Sequence, residues 1–258
     1  ASDTENDNLA IGYNAMVTNT AGGTQNVAVG NYALDANTSG DKNIGIGVDA
    51  LGGMTTGNQN IGIGHGTGTH TSVLSTGERN ILIGSSADTS SAGSNDQIVM
   101  GEDVTGNANN SFVFGRGGTD SAIAFGATSI SAPSDIRLKE NITNATAGLS
   151  FINDLRPVTF NWKKEKDIPK EMITYKAGSE KRYNNDKLNH GFIAQEVKTV
   201  IDNHSEVKDG FKMWFEDEID GRQRIAEGAL VPMLVKSIQE LSAKIESQQS
   251  EIDTLKNA

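Results

Sequence analysis

Short apolar stretches recur through the first half of the chain, each opened by a polar or small residue and closed by a glycine. The clearest copies are Asn8-Leu-Ala-Ile-Gly12, Asn26-Val-Ala-Val-Gly30, Asn43-Ile-Gly-Ile-Gly47, Asn60-Ile-Gly-Ile-Gly64 and Asn80-Ile-Leu-Ile-Gly84. Weaker copies are Gln97-Ile-Val-Met-Gly101, Ser111-Phe-Val-Phe-Gly115 and Ala122-Ile-Ala-Phe-Gly126. The apolar tripeptide alternates around a central residue that is usually small, which predicts a short strand. The closing glycine predicts a tight turn, because glycine adopts positive φ without steric cost.

The repeats follow one another at a short period, with closing glycines 18, 17, 17, 20, 17, 14 and 11 residues apart. Such self-similarity is typical of stacked β coils, which need their neighbours for burial. Each strand offers only about two inward apolar positions, so we expect several chains, most simply three, to pool their apolar edges about one axis. A monomeric β-solenoid is the alternative, and a calcium-binding roll is disfavoured because its nonapeptide is missing. We expect the opening asparagines to form structural ladders.

The chain changes character near residue 134, which predicts a fibre domain over 1–133 and a second domain over 134–258. Before this point lie 23 of the 29 glycines, and after it lie 19 of the 22 basic residues. The first part has 3 basic and 12 acidic residues, a net charge of −9, and the second has 19 and 21, a net charge of −2. Nucleic acid is therefore excluded as a partner, since phosphate binding needs clustered cations.

Other classes of site are also disfavoured by composition. No apolar run is long enough to cross a bilayer, so we expect no membrane insertion. There is no cysteine, and His65 and His70 have no carboxylate at metal-ligand spacing, so we expect neither a metal nor a cofactor. The chain opens at Ala1-Ser2-Asp3 without a methionine, from which we expect a fragment of a longer protein.

The second half has an ordinary globular composition, and its patterns predict mixed α and β structure. The apolar spacing of 149–156 predicts a helix ended by Pro157, and 158–162 alternate like a strand. Residues 163–187 are charged and predict an exposed loop, whereas Gly191–Val197 predicts the start of a helix that runs to about residue 202. The aromatic group of Phe211, Trp214 and Phe215 fits either the core or a face toward a partner subunit, and we favour the core.

The last 28 residues carry the clearest helical pattern. Successive a and d positions of a heptad repeat are filled by Val231, Leu234, Ile238, Leu241, Ile245, Gln248, Ile252 and Leu255. This predicts a parallel coiled coil over about 230–258, with Gln248 helping to fix register. Isoleucine at a with leucine at d favours dimers, but we predict a trimer because the fibre half needs three chains. A surface amphipathic helix is the alternative.

One segment at the boundary suggests chemistry: Ser134-Asp135-Ile136-Arg137-Leu138-Lys139-Glu140-Asn141-Ile142. A serine becomes a nucleophile when a base removes its proton, and a lysine whose pKa is lowered can be that base. About one helical turn would bring Ser134 and Lys139 together, and Asp135 is placed to orient one of them. Ser-x4-Lys is a common spacing, so by spacing alone a serine helix cap followed by a surface lysine is the favoured interpretation.

Two family resemblances sharpen this hypothesis. The repeats over 8–126 resemble the head repeats of trimeric autotransporter adhesins and the shafts of bacteriophage tail fibres, which implies a trimeric β-roll. Residues 134–142, Gly191–Val197 and the final helix with Gln239-Glu240-Leu241 resemble the endosialidase-type intramolecular chaperone of phage tail spikes and fibres. That domain is a self-cleaving serine peptidase.

The resemblance implies that the second domain trimerises, guides the fibre into register and then cuts the chain at Pro133–Ser134. Ser134 would be the nucleophile and Lys139 the base, with Asp135 and Asn141 supporting and His190 as a further helper. We expect the rigid ring of Pro133 to slow attack at its carbonyl.

The functional hypothesis is therefore a viral tail fibre for host attachment, located in the virion. Its partners would be two further copies of itself and a host receptor, either a glycan or an outer-membrane component. Its chaperone domain would be made in the host cytoplasm and released after cleavage. The alternatives are a bacterial trimeric surface adhesin and a fibre with a non-cleaving trimerisation domain. A glycan-degrading spike is disfavoured because no paired carboxylates stand out in the repeats.

Overall fold

The computed structural model describes residues 7–19, 22–208 and 210–257. The opening residues Ala1, Ser2 and Asp3, on which the fragment prediction depends, lie outside this part. The chain divides into two compact units, Ala1–Glu140 and Asn141–Ala258, each described here by itself. The sequence places the boundary at 133/134, so the two divisions differ by the segment 134–140.

The first unit is a β-solenoid of about six turns, built from one short strand per repeat. Its strands are β1 (Leu9–Ile11), β2 (Val27–Val29), β3 (Ile44–Ile46), β4 (Ile61–Ile63), β5 (Ile81–Ile83), β6 (Gln97–Glu102), β7 (Ser111–Arg116) and β8 (Thr119–Ala124). Strands β1 to β7 pair in parallel in chain order, and equivalent repeat positions are in register, as in Val27 with Ile44 and Ile44 with Ile61. The predicted stacked β architecture is confirmed.

Each of the inner strands β2 to β5 buries its central residue and leaves the flanking apolar residues partly exposed. The expectation of two inward apolar positions per strand is therefore wrong. The central residue is small where a leucine from an adjacent turn fills the interior: a side chain at Gly45 would meet Leu34, and one at Gly62 would meet Leu51. The flanking residues form an outer apolar face. Its members are Leu9, Ile11, Val27, Val29, Ile44, Ile46, Ile61, Ile63, Ile81, Ile83, Ile98, Met100, Phe112 and Phe114.

The opening asparagines form a buried ladder along the solenoid. The side-chain oxygen of Asn26 accepts from the backbone of Asn43 at 2.8 Å, that of Asn43 from Asn60 at 2.9 Å, and that of Asn60 from Asn80 at 3.0 Å. The amide nitrogens of these side chains donate to backbone carbonyls of glycine or serine. All four side chains are fully buried. The ladder therefore supplies hydrogen-bond partners to buried backbone groups that would otherwise have none. The structural-ladder prediction is confirmed.

The last repeat departs from the pattern. Strand β8 pairs antiparallel with β7 across the two-residue turn Gly117-Gly118. The copy ending at Gly126 is thus the return strand of a hairpin and adds no further coil, because paired glycines favour a tight hairpin turn.

The 20-residue repeat between Gly64 and Gly84 carries a small loop over residues 69–73. The buried carboxylate of Asp88 accepts hydrogen bonds from the backbone N–H groups of His70, Thr71 and Ser72. His65 and His70 are exposed, as predicted for a surface loop, and His70 lies 3.6 Å from Asp103.

The described part of the second unit combines three α-helices with two small antiparallel sheets. Its elements are α1 (Leu149–Asp154), β9 (Val158–Phe160), β10 (Asn189–Gly191), α2 (Ala194–Asn203), β11 (Trp214–Glu216), β12 (Gln223–Ile225) and α3 (Val231–Lys256). The sheets pair β9 with β10 and β11 with β12. The helix before Pro157 and the strand after it are confirmed, whereas Gly191 belongs to β10 and the helix begins at Ala194. The loop 163–187 contains one short helical turn, Glu165–Asp167.

The core of this unit packs α1 and α2 against the region before α3. Phe151, Val197, Ile201 and Met213 are among its most buried members. Phe211 and Trp214 pack against this core, and the Phe211 ring lies 5.7 Å from that of Phe151. Phe215 is 47% exposed, so the core prediction is wrong for this residue. It lies on β11, where neighbouring side chains alternate between the two faces of the sheet.

The final helix α3 leaves its heptad positions open. The exposed fraction of Ile238 is 65%, of Ile245 64% and of Leu255 77%. The helix is confirmed, whereas the coiled coil and its trimeric state stay predictions. In the described part of the chain, no helix is long and apolar enough to cross a membrane.

Candidate functional site

The boundary segment folds into a single helical turn that brings its two ends together. Residues Ile136–Leu138 form a 3₁₀ turn, with hydrogen bonds from Leu138 N to Asp135 O and from Lys139 N to Ile136 O, both 3.1 Å. Asp135 caps the turn, since its carboxylate accepts from the backbone N–H of Arg137 at 2.8 Å. Aspartate at such a cap satisfies an N–H group that has no partner within the turn.

The turn places Lys139 beside Ser134. The Lys139 Nζ donates a hydrogen bond to the Ser134 Oγ at 2.7 Å. This is the distance at which a base can take a hydroxyl proton, once the lysine is uncharged. The two residues that the sequence predicts as nucleophile and base are therefore in hydrogen-bonding contact.

Asp135 is paired with Arg137, and not with Ser134 or Lys139, which its position in the sequence suggests it would orient. Its carboxylate accepts from Arg137 Nε at 3.0 Å and from Arg137 Nη2 at 2.6 Å. These hydrogen bonds from the guanidinium, with the one from the Arg137 backbone, lower the pKa of Asp135 below its ordinary value. The structure thus uses Asp135 to build the turn and to hold Arg137. The sequence did not single out Arg137, although a basic residue two positions after a capping aspartate is a usable signal.

The segment is open to solvent, including its apolar side chains. Ile136 is 72% exposed, Leu138 70% and Ile142 63%. Burial of a lysine favours the neutral form that can act as a base. The chemistry of this site therefore depends on whether something covers these apolar residues.

The remaining predicted residues lie around the segment or in the second unit. Pro133 is exposed and directly precedes Ser134. Asn141 has φ 53, a left-handed conformation that asparagine tolerates, and it begins the second unit. His190 is an exposed residue of β10, opposite Thr159 in β9. It lines a cleft of about 860 Å³ with Phe160, Trp162 and Tyr183 among its walls.

The motif Gln239-Glu240-Leu241 in α3 has a structural role within the second unit. The Glu240 carboxylate accepts from the backbone N–H of Leu149 at 2.8 Å, which lowers the pKa of Glu240. A side chain at Gly148 would collide with this carboxylate, at 2.6 Å from Oε2. Glu240 thus caps α1 and ties α3 to the rest of the unit, a role that the sequence alone does not predict.

One comparison with known proteins finds a family that this region resembles. Residues 134–206 match the model of the family described as chaperone of endosialidase, Peptidase_S74. No curated protein and no solved structure gives a significant match to the chain. The match begins at Ser134 and includes the turn, α1, β9, β10 and α2. A chaperone-type domain after a β-solenoid fits a fibre that carries its own chaperone, and the family is named as a peptidase.

Proposed function

We propose that this chain is a viral tail-fibre segment whose second domain assembles three copies and then cuts itself free at Pro133–Ser134. The observation that carries the proposal is the 2.7 Å hydrogen bond from Lys139 to Ser134, formed at the first residue of the family match. The fibre would serve host attachment in the virion, with a receptor that is a glycan or an outer-membrane component.

The proposed reaction needs only the chain and water. Uncharged Lys139 accepts the Ser134 hydroxyl proton while Oγ attacks the carbonyl carbon of Pro133. The Pro133–Ser134 C–N bond then breaks as the proton passes to the Ser134 nitrogen, which leaves an ester between Pro133 and Oγ. Water hydrolyses this ester to the Pro133 carboxylate and restores the hydroxyl. The hydrogen bond joins residues of one chain, so we assign nucleophile and base to the same copy.

Two apolar surfaces support assembly of several copies. The outer apolar face of the solenoid is partly exposed along all of its strands, as at Ile46 and Ile63, each 39% exposed. The heptad positions of α3 are exposed as well, and such a seam is buried when helices associate. Large exposed apolar patches mark interaction sites. A parallel trimer would cover both surfaces and hold the repeats of three chains in one register.

Assembly would also complete the cleavage site. Neighbouring copies that cover Ile136, Leu138 and Ile142 would remove water from around Lys139, and removal of water favours the neutral amine. Cleavage would then follow assembly and leave the fibre kinetically trapped, because it could not refold without its guide.

A non-cleaving trimerisation domain is the second candidate, and the exposure of the site favours it. If no partner covers the apolar residues of the segment, water stays around the lysine, and the desolvation that would favour a neutral base is absent. The rigid ring of Pro133 also opposes attack at its carbonyl.

Time courses of intact mass under denaturing conditions separate the two candidates. We expect the natural chain to convert to two fragments, and Ser134→Ala and Lys139→Ala to stay whole. Lys139→Arg is the matched control, because arginine keeps the charge but cannot act as a base at neutral pH. Cleavage of Ser134→Ala at the natural rate would refute the proposed dyad.

A further inference from the structure

Three charged side chains follow one another at alternate positions beside the Ser134 hydroxyl: Asp135, Arg137 and Lys139. Asp135 precedes Lys139 by four residues, a spacing at which a carboxylate and an ammonium commonly pair on an α-helix, and here the two residues flank a single 3₁₀ turn. This pairing is not the one formed. Lys139 contacts Ser134, and Asp135 contacts Arg137.

The contact between Arg137 and Asp135 is specific in its geometry. The guanidinium presents Nε and Nη2 to the two carboxylate oxygens, a bidentate arrangement that a lysine cannot make. One of the same oxygens also caps the turn. Both acceptor oxygens of Asp135 are therefore engaged on Arg137.

The other carboxylate of the segment is directed elsewhere. Glu140 follows Lys139, whose backbone is extended, with φ −125 and ψ 141. Successive side chains on extended backbone point to opposite sides. Within the described residues Glu140 forms no ion pair. Asp135 is thus the carboxylate that competes for Lys139.

We propose that Arg137 is a positioning residue of the Ser134–Lys139 pair: it occupies the Asp135 carboxylate and so leaves the Lys139 side chain to the Ser134 hydroxyl. The inference rests on the proposed function, because it concerns the base of the proposed cleavage. Without Arg137, the free carboxylate attracts the ammonium, and an adjacent opposite charge favours the charged form. The lysine then leaves the serine and holds its proton to a higher pH.

The test is the pH dependence of self-cleavage in the full chain. We expect Arg137→Gln to move the midpoint of the pH–rate profile upward and to slow cleavage at pH 7 roughly tenfold. The double variant Asp135→Asn with Arg137→Gln should return the midpoint to its natural value, because asparagine keeps a capping oxygen but carries no charge.

The matched control is Arg116→Gln, which removes another exposed arginine, paired with Glu102 at 2.9 Å in the hairpin of the solenoid. It should leave the profile unchanged. If Arg137 served only to stabilise the turn, Arg137→Gln would slow cleavage equally at every pH, and Asp135→Asn would not rescue it. That result would overturn the inference and leave the proposed cleavage intact.

A second readout does not depend on cleavage. Carbon-13 NMR of the lysine side chains follows the titration of Lys139, assigned with Lys139→Arg, in uncut full-length chains carrying Ser134→Ala. We expect Lys139 to titrate at higher pH in the Arg137→Gln chain than in its parent. Equal titration in the two chains would overturn the inference, whereas a natural chain that is never cut would overturn the proposed function.

Discussion

At the residue scale, left-handed backbone recurs in every coil of the solenoid. Three large apolar residues adopt it, Met16, Leu34 and Leu51, with φ 53, 50 and 53, and all three are buried. Such a conformation costs about 1–2 kcal/mol per residue. Burial of a leucine side chain contributes about 1.5–3 kcal/mol, which offsets the strain. Packing therefore overrides local preference at these turns.

The closing glycines are required by both conformation and space. Gly47 has φ 132, and a side chain there would lie 2.4 Å from the Gly64 carbonyl oxygen. We expect Gly47→Ala to lower the free energy of unfolding by about 3 kcal/mol or more. Gly118→Ala is the control, since nothing lies within 4 Å of a side chain at that position. Urea denaturation of the full chain measures both, and equal stability of the two variants would contradict this view of the turns.

His204 makes the second unit sensitive to pH. Its Nδ1 lies 2.9 Å from Glu206 and its Nε2 2.8 Å from Asp154, and the side chain is only 11% exposed. Hydrogen bonds to Glu206 and then to Asp154 raise the pKa of His204 above its ordinary value. A raised folded-state pKa gives stability that is complete below the unfolded pKa and is lost as pH rises through the folded pKa.

We therefore expect the second unit to lose stability as the pH rises from about 6 through the folded pKa of His204. Denaturation midpoints recorded against pH, with NMR titration of the His204 ring, measure this effect. His204→Gln should remove this part of the pH dependence. A midpoint that rises over the same range in the natural chain would contradict the assignment.

At the element scale, the solenoid is held by rows of equivalent residues more than by any single strand. The asparagine ladder runs inside the coils. A second row on the surface links Asp41, Asn58, Glu78, Asn95 and Asn109 from coil to coil. Each strand has only a few ladder hydrogen bonds, so these rows fix the register between coils. A slip would break many of them together.

Helix α3 has two faces with different roles. The first half of α3 contacts α1 through Glu240, which helps to fold the second unit. The heptad residues of α3 are exposed and are therefore available for association with other copies. Folding and association thus involve different faces of this helix. We expect Ile245→Asp to weaken the association of copies roughly tenfold, because it places a charge among the apolar heptad positions of α3. The second unit should stay folded.

Ser250→Asp is the control for that variant, since it adds the same charge to α3 at an exposed position outside the seam. Sedimentation velocity measures association, and circular dichroism measures folding. A trimer that survives Ile245→Asp would contradict the coiled-coil account.

At the scale of the whole molecule, the repeat pattern is sufficient to predict stacked β coils, because its period and its glycines are local signals, whereas the trimer stays a prediction. The direction of the apolar residues was not predictable in this way, since it depends on Leu34 and Leu51 filling space beside Gly45 and Gly62. The hairpin β11–β12 is not predictable from the sequence, because its strands are three residues long and lack clear alternation. At the site, the contact of Ser134 with Lys139 is predicted through the family resemblance, since spacing alone favours a simple cap. The pairing of Asp135 with Arg137 is not predicted, because several charged side chains lie close together in the segment.

The central claim is that the chain cuts itself before Ser134. The most direct measurement is the denaturing intact mass of the natural chain after folding, with sequencing of the new amino terminus. The account predicts fragments of 133 and 125 residues, the second beginning Ser134-Asp135-Ile136. A single mass for all 258 residues, in a sample whose sedimentation shows a trimer, would contradict self-cleavage and leave a trimerisation domain that stays attached.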